Sequence, residues 1–270
     1  MPEVTRREFL RLGAGAVALG AALSEAPAAA APGATPTMVT GSFVSAARGG
    51  ALTHWAIARP PNQTIPLRPV IALHGKGSDA ATVMAGGVEE ALAQAVSAGI
   101  PPFAVVAVDG GGGYWHRRAG GEDSGAMVLD ELLPLLAGQQ LDVSRVGFLG
   151  WSMGGYGALL LGARLGAART AAICAVSPAL WVSPGAAAPG AFDGAADFAA
   201  NSVFGLPALG SIPIRIDCGD SDPFYSATKA FIAQLPRAPA GGFSPGGHDA
   251  SFWSAQLPGE LTWLAPLLTA

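Results

Sequence analysis

Positive charge is scarce in this chain, and that scarcity is the first constraint on what it does. Lys and Arg together number 15 against 19 Asp and Glu, for a net charge of -4, and all charged residues make up only 13% of 270. A nucleic-acid partner needs a basic face to displace counterions from phosphate, so none is expected. Cysteine is nearly absent as well. Cys174 and Cys218 stand far apart with no CxxC and no histidine cluster, which excludes a disulfide framework and a zinc motif and leaves two buried thiols. No metal and no cofactor are expected. Histidine occurs four times, so any proton-transfer role has few candidates.

Long hydrophobic runs are missing too. The mild apolar stretch from Leu12 to Leu23 is rich in Ala and Gly and falls short of the roughly 20 residues that span a bilayer. It follows the pair Arg6 and Arg7 in "TRREFLRLGAGAVALGAAL" and precedes "APAAAAPG", where small residues recur at A-x-A spacing. The segment resembles a twin-arginine export signal cleaved near Ala30 or Ala31, which implies the export machinery as a partner. Residues 1 to 31 are read as that signal and 32 to 270 as one catalytic domain. Half the chain is hydrophobic, enough for one sizeable core.

Apolar periodicity gives the architecture. Residues 38 to 46 and 51 to 59 flank "ARGG" and predict an antiparallel hairpin. "VIALHG", "FAVVAVDG", "RVGFLG" and "AAICAVSP" are short continuous apolar runs, the pattern of strands buried on both faces. Helical stretches alternate with them at 80 to 97, 123 to 137 and 153 to 166. This alternation predicts an α/β fold with a mostly parallel central sheet and helices on both faces. Residues 178 to 211 break the rhythm and read as a small cap. "IPIRIDCGD", a helix at 224 to 235, a weak strand in "APAGGFSPGGHD" and a last helix complete the chain.

Chemistry concentrates at "GWSMGGYGALLLG". Ser152 stands between Gly150 and Gly154, where a buried strand hands over to a helix, the setting that makes G-x-S-x-G informative. The turn lifts the hydroxyl above the carboxyl ends of the strands, and the Met153 N–H opens the helix where an oxyanion would form. A serine needs a base, and in this topology the acid and then the histidine follow the serine. Only His248 lies beyond it. His54 sits mid-strand, His74 ends a strand beside a glycine loop, and His116 lies in a loop able to line the pocket. Between Ser152 and His248 there is no glutamate. Asp217 is still within a strand, Asp193 and Asp197 belong to the cap, and Asp220 and Asp222 follow Gly219 in a loop.

With "LHGKGSD", "DGGGGYWH", "GDSDPF" and "PGGHDASFW" added, residues 65 to 268 resemble the α/β-hydrolases of the esterase group. These are relatives of esterase D and S-formylglutathione hydrolase, in the superfamily of the secreted mycolyltransferases. The resemblance implies an acid three residues after the strand-terminal glycine, which is Asp222, and a second oxyanion N–H at Lys76, with Gly75 as its alternative. It also implies a serine esterase without cofactor acting on small-molecule or lipid esters. An acyltransferase with the same triad, a peptidase and a silent envelope-ligand binder are the competing readings. Trp151, Tyr114, Trp115 and Trp181 are the candidate pocket walls.

Overall fold

A computed structural model describes residues 37–269, and the export-signal reading falls outside them. The hairpin forms as expected. β1 (Met38–Ser45) and β2 (Ala51–Ala58) pair antiparallel in full register, joined by a turn that ends on Gly49 and Gly50, both at positive φ. β3 (Pro69–Leu73) and β4 (Ala104–Val108) are buried at every position, as are β5 (Val146–Trp151) and β6 (Thr170–Val176). β7 (Ile214–Gly219) and β8 (Ala240–Ser244) complete an eight-stranded sheet of order β1-β2-β4-β3-β5-β6-β7-β8. β2 meets β4 antiparallel, and every pair from β4 to β8 is parallel. This is the α/β-hydrolase arrangement.

Continuous apolar strands need cover on both sides, and the helices supply it. α1 (Ala80–Ala85) and α2 (Val88–Ser97) were expected as one helix, but Gly87 takes φ 93 between them and separates the two. Asp79 caps α1 by accepting the Thr82 N–H at 2.7 Å, satisfying one of its orphan donors. The second expected helix is also interrupted. α3 (Ser124–Ala126) widens into a π-helical stretch, Met127–Leu132, before α4 (Leu133–Ala137). Pro134 brings no N–H to the ladder just there, and it falls in the first turn of α4, where a missing donor costs least. α5 (Met153–Leu165) is buried on nearly all sides, which places it against the sheet centre.

Residues 178 to 211 carry α6 (Ala195–Asn201) between two 3₁₀ turns. Polar bonds fasten the segment to the body. Arg118 grips Asp193 at 2.6 and 3.2 Å, and this guanidinium holds the Asp193 carboxyl down at about 2. Tyr156 and Arg164 of α5 bond to the Asn201 carbonyl and side chain.

α7 (Tyr225–Ile232) and α8 (Ala250–Thr269) follow. α8 packs with α1 and α2 over one face of the sheet, while α5 and the π-helical stretch cover the other.

One buried group sits uneasily in this core. Glu260 of α8 is fully buried, and neither carboxylate oxygen accepts a hydrogen bond from any described residue. It lies within 4.8 Å of the Asp217 carboxylate and the Cys174 thiol; Asp217 in turn is held by Arg215 at 2.6 and 3.2 Å. Burial first, and Asp217 second, push the Glu260 carboxyl well above its ordinary 4.5. A carboxyl raised on folding favours the native state only while it keeps its proton, so its contribution fades as pH climbs from about 4.5 toward the folded value. Glu260→Gln, which holds the shape without the proton equilibrium, is therefore expected to melt higher than wild type at pH 8. The gap should close as pH falls toward 4.5 in thermal melts; a pH-independent gap would show that ionisation is not its source.

Candidate active site

The turn between β5 and α5 is a place where backbone meets backbone. Ser152 adopts φ 55 and ψ -117, a strained conformation for a residue with a side chain, costing roughly 1–3 kcal/mol. Neighbouring strands hold it there. The Ser152 N–H donates to the Val176 carbonyl at 3.0 Å, and the Ser152 carbonyl accepts from Tyr156 and Ala179 at 3.1 and 2.9 Å. A Cβ on Gly150 would lie 2.1 Å from the Gly154 oxygen, and one on Gly154 would lie 1.8 Å from the Leu73 oxygen. Both flanking glycines are thus obligatory.

His248 comes to this turn from the loop between β8 and α8. The Ser152 hydroxyl lies 2.9 Å from its Nε2, and its Nδ1 lies 2.8 Å from an Asp222 oxygen. With the ring protonated on Nδ1, the serine donates to Nε2 and the imidazole donates to the carboxylate. The other Asp222 oxygen accepts the Phe224 N–H at 2.8 Å. Burial would raise the Asp222 carboxyl, but the His248 and Phe224 donors outweigh it and hold the group below its ordinary range, charged. Phe224 and Trp253 each pack edge-on with the imidazole, 5.2 Å between centroids.

Asp220 is exposed and points elsewhere, its carboxylate meeting the Ser221 hydroxyl at 3.1 Å and the Gly246 N–H at 3.4 Å. Between the two loop aspartates, the structure brings Asp222 to the histidine. Gly219 makes this possible, since a Cβ there would sit 2.3 Å from the Gly246 oxygen and force the two loops apart. Asp217 is taken up by Arg215, and Asp193 and Asp197 remain with the cap.

The Met153 N–H, first in α5, has no partner within the helix. Opposite it runs the Gly75–Lys76 loop, close enough that a Cβ on Gly75 would be 3.6 Å from the Ser152 Cβ. His74 shapes this loop. Its Nδ1 lies 2.7 Å from the Gly75 carbonyl and its Nε2 accepts the Gly110 N–H at 2.9 Å. Burial lowers its pKa, in keeping with a neutral ring that has one donor and one acceptor spoken for. His54 is exposed on β2. His116 is buried with its two nitrogens at 3.0 and 3.2 Å from the Arg117 and Ala191 carbonyls, a loop-holding position that does not line the cavity beside Ser152.

That cavity measures about 270 Å³ and is bordered by Ser152, His248 and Trp151. Of the four expected aromatic walls, Trp151 alone is in place. Trp115 is wholly buried in a notch cut by missing side chains, with a Cβ on Gly110 or Gly157 falling within 2.4 Å of its ring. Tyr114 turns into the core against Tyr156 and Trp181, and the Lys76 ammonium lies over its ring, 5.6 Å from the centroid. Trp181 packs with Tyr114, Phe192 and Phe224. The walls that the sequence reading missed are Val83 of α1 and Trp253 and Leu257 of α8. Trp253 follows His248 by a single helical turn and a cap, a hint in "PGGHDASFW", but only the placement of α8 and α1 around one cavity makes it a wall.

Residues 53–264 match the model of the family described as "Putative esterase". No curated protein matches the chain. Among solved structures, S-formylglutathione hydrolase from Agrobacterium tumefaciens superposes with a TM-score of 0.73 at 21% identity, over 86% of this chain and 95% of that one. The fluorophosphonate-binding serine hydrolase F of Staphylococcus aureus gives 0.71 at 18%, over 84% and 98%. A ferulic acid esterase from Anaeromyces mucronatus gives 0.65 at 17%, over 86% and 92%. At such identities the likeness speaks for the fold. The family match spans the nucleophile turn, both loops and most of α8, and the chain accordingly belongs to this esterase family as a serine hydrolase.

Proposed function

We propose that the protein is an exported esterase that hydrolyses small-molecule or lipid carboxylic esters through an acyl-enzyme on Ser152. The observation that carries this reading is the unbroken relay of 2.9 and 2.8 Å contacts from the Ser152 hydroxyl through His248 to the buried Asp222 carboxylate. In the first step His248 removes the hydroxyl proton as Ser152 Oγ attacks the ester carbonyl. Asp222 fixes the imidazole tautomer and stabilises the imidazolium, which then protonates the departing alcohol. The oxyanion is received by the Met153 N–H and by the N–H of Lys76 or its neighbour Gly75, each such donor worth on the order of 10²- to 10³-fold in rate. Water, activated by the same histidine, releases the acid. Nothing in this sequence of steps calls on a metal or a cofactor. The export reading rests on the arginine pair, the short apolar run and the small-residue cleavage site.

Three measurements test the proposal. Ser152→Ala is expected to lower hydrolysis of aryl esters by at least about 10⁴-fold with the fold retained, and a fluorophosphonate should label wild type alone; labelling of the variant would move the nucleophile elsewhere. Asp222→Asn should cost on the order of 10⁴-fold in turnover, whereas Asp220→Asn should keep at least about a tenth of it. The reverse ranking would hand the acid's role to Asp220. Finally, replacing Arg6 and Arg7 by lysine should hold a reporter fused behind residues 1 to 35 in the cytoplasm, because the receptor reads arginine as an address. Unchanged secretion would remove the export assignment.

A further inference from the structure

The cavity beside Ser152 is a cleft between two helices. α1 contributes Thr82 and Val83 to one wall, α8 contributes Trp253, Ser254 and Leu257 to the other, and Trp151 lies between them. Val83, Trp151 and Leu257 are buried core residues of this face of the sheet, so the cleft is an extension of the hydrophobic core toward the nucleophile. No carboxylate borders it. Its one fixed charge, Lys76, sends the ammonium over the Tyr114 ring, and Tyr114 does not line the cleft.

We infer that the α1–α8 cleft binds the acyl group of the substrate and selects apolar acyl chains of medium length. The inference rests on the esterase reading of Ser152. Two parts of an ester must be accommodated at the nucleophile, and they have opposite needs. The alcohol leaves after the first step, and water must then reach the carbonyl beside His248. The cleft's walls carry two indoles, a valine and a leucine beside the hydroxyls of Ser78, Thr82 and Ser254, a lining that suits an apolar chain better than a polar leaving group or water. The acyl part stays tethered to Ser152 and gains from burial among those side chains. The 270 Å³ of space is about nine times a water molecule's share of the liquid, room for a linear chain of roughly six to eight carbons. Each methylene buried there should raise kcat/KM about three- to fourfold until the cleft is full.

Ser254 and Thr82 border the cleft yet are exposed, so a large side chain at either position can cross the opening without needing room in the core. p-Nitrophenyl esters from acetate to hexadecanoate report on the acyl side, and acetate esters of n-alkyl alcohols of rising length report on the other. The expected wild-type profile rises at least tenfold from acetate to hexanoate and falls by hexadecanoate. Ser254→Trp, and independently Thr82→Trp, should cut the hexanoate-to-acetate ratio at least tenfold, with circular dichroism and melting confirming the fold. A flat acyl profile in an enzyme that turns over acetate, or a ratio that neither tryptophan moves, would overturn the inference while leaving the esterase reading intact. So would a tryptophan variant that discriminates by alcohol length and ignores acyl length, since the cleft would then hold the alcohol. Absence of turnover on every ester together with absence of fluorophosphonate labelling would defeat both readings at once.

Discussion

Everything at the catalytic end of this molecule depends on a backbone packed against backbone at one turn. Gly150 and Gly154 lie where any side chain would overlap the Gly154 or Leu73 carbonyl, and this contact is what lets α5 start directly on top of β3 and β5. The serine between them pays in conformation, at φ 55, and β6, the segment after it and α5 compensate with three hydrogen bonds to its backbone. Because α5 is pressed so close, the Gly75 loop lies beside Ser152 at the start of α5 while the hydroxyl points across to His248. The direction of the hydroxyl and the nearness of that loop are thus two results of one steric fact.

A second close approach completes the site from the far edge of the sheet. Gly219 passes the Gly246 backbone too tightly for a side chain, and that proximity brings the loop carrying Asp222 beside the loop carrying His248. Two of the buried carboxylates, Asp222 and Glu260, show how partners decide charge. Asp222 receives N–H donors from His248 and Phe224 and stays below its ordinary range, able to stabilise a cationic imidazole. Glu260 receives none from any described residue, faces the negative Asp217, and is pushed well above its range. Both are shielded from water, so hydrogen bonding separates a group suited to electrostatics from one tolerated as a neutral part of the core.

The two faces of the sheet serve different ends. On the α5 face, the Trp115 ring fills a recess created by Gly110 and Gly157, and Tyr114, Tyr156, Trp181 and Phe192 extend this aromatic packing into the segment between β6 and β7. The opposite face, under α1, α2 and α8, is mainly aliphatic, with Phe103 and Phe252 in its core and Trp151 and Trp253 at the cleft. The open space beside Ser152 lies on this second face, and Gly86, at the end of α1, borders it.

Short-range chemistry made much of this legible in the sequence. The apolar runs of β3 to β6 specify a parallel sheet because only strands covered on both faces can be apolar throughout, and glycines two residues either side of Ser152, at a strand-to-helix junction, specify the turn because nothing larger fits it. Chain order left His248 as the single histidine after the serine. What the sequence left open was settled by distances between segments remote in the chain. Asp220 and Asp222 differ by two positions in one loop, and only the path of that loop past Gly246 turns Asp222, not its neighbour, toward the imidazole. Trp115 looks the same in sequence as a pocket wall and as a core residue; Gly110 and Gly157, from two separate segments, decide for the core. Trp253 became a wall because α8 and α1 border one cavity, and the splitting of the 80 to 97 helix followed from a single glycine that periodicity does not register. Composition and spacing act along the chain and determine which local shapes are permitted, whereas the site is a matter of which of those shapes come within a few ångströms of one another.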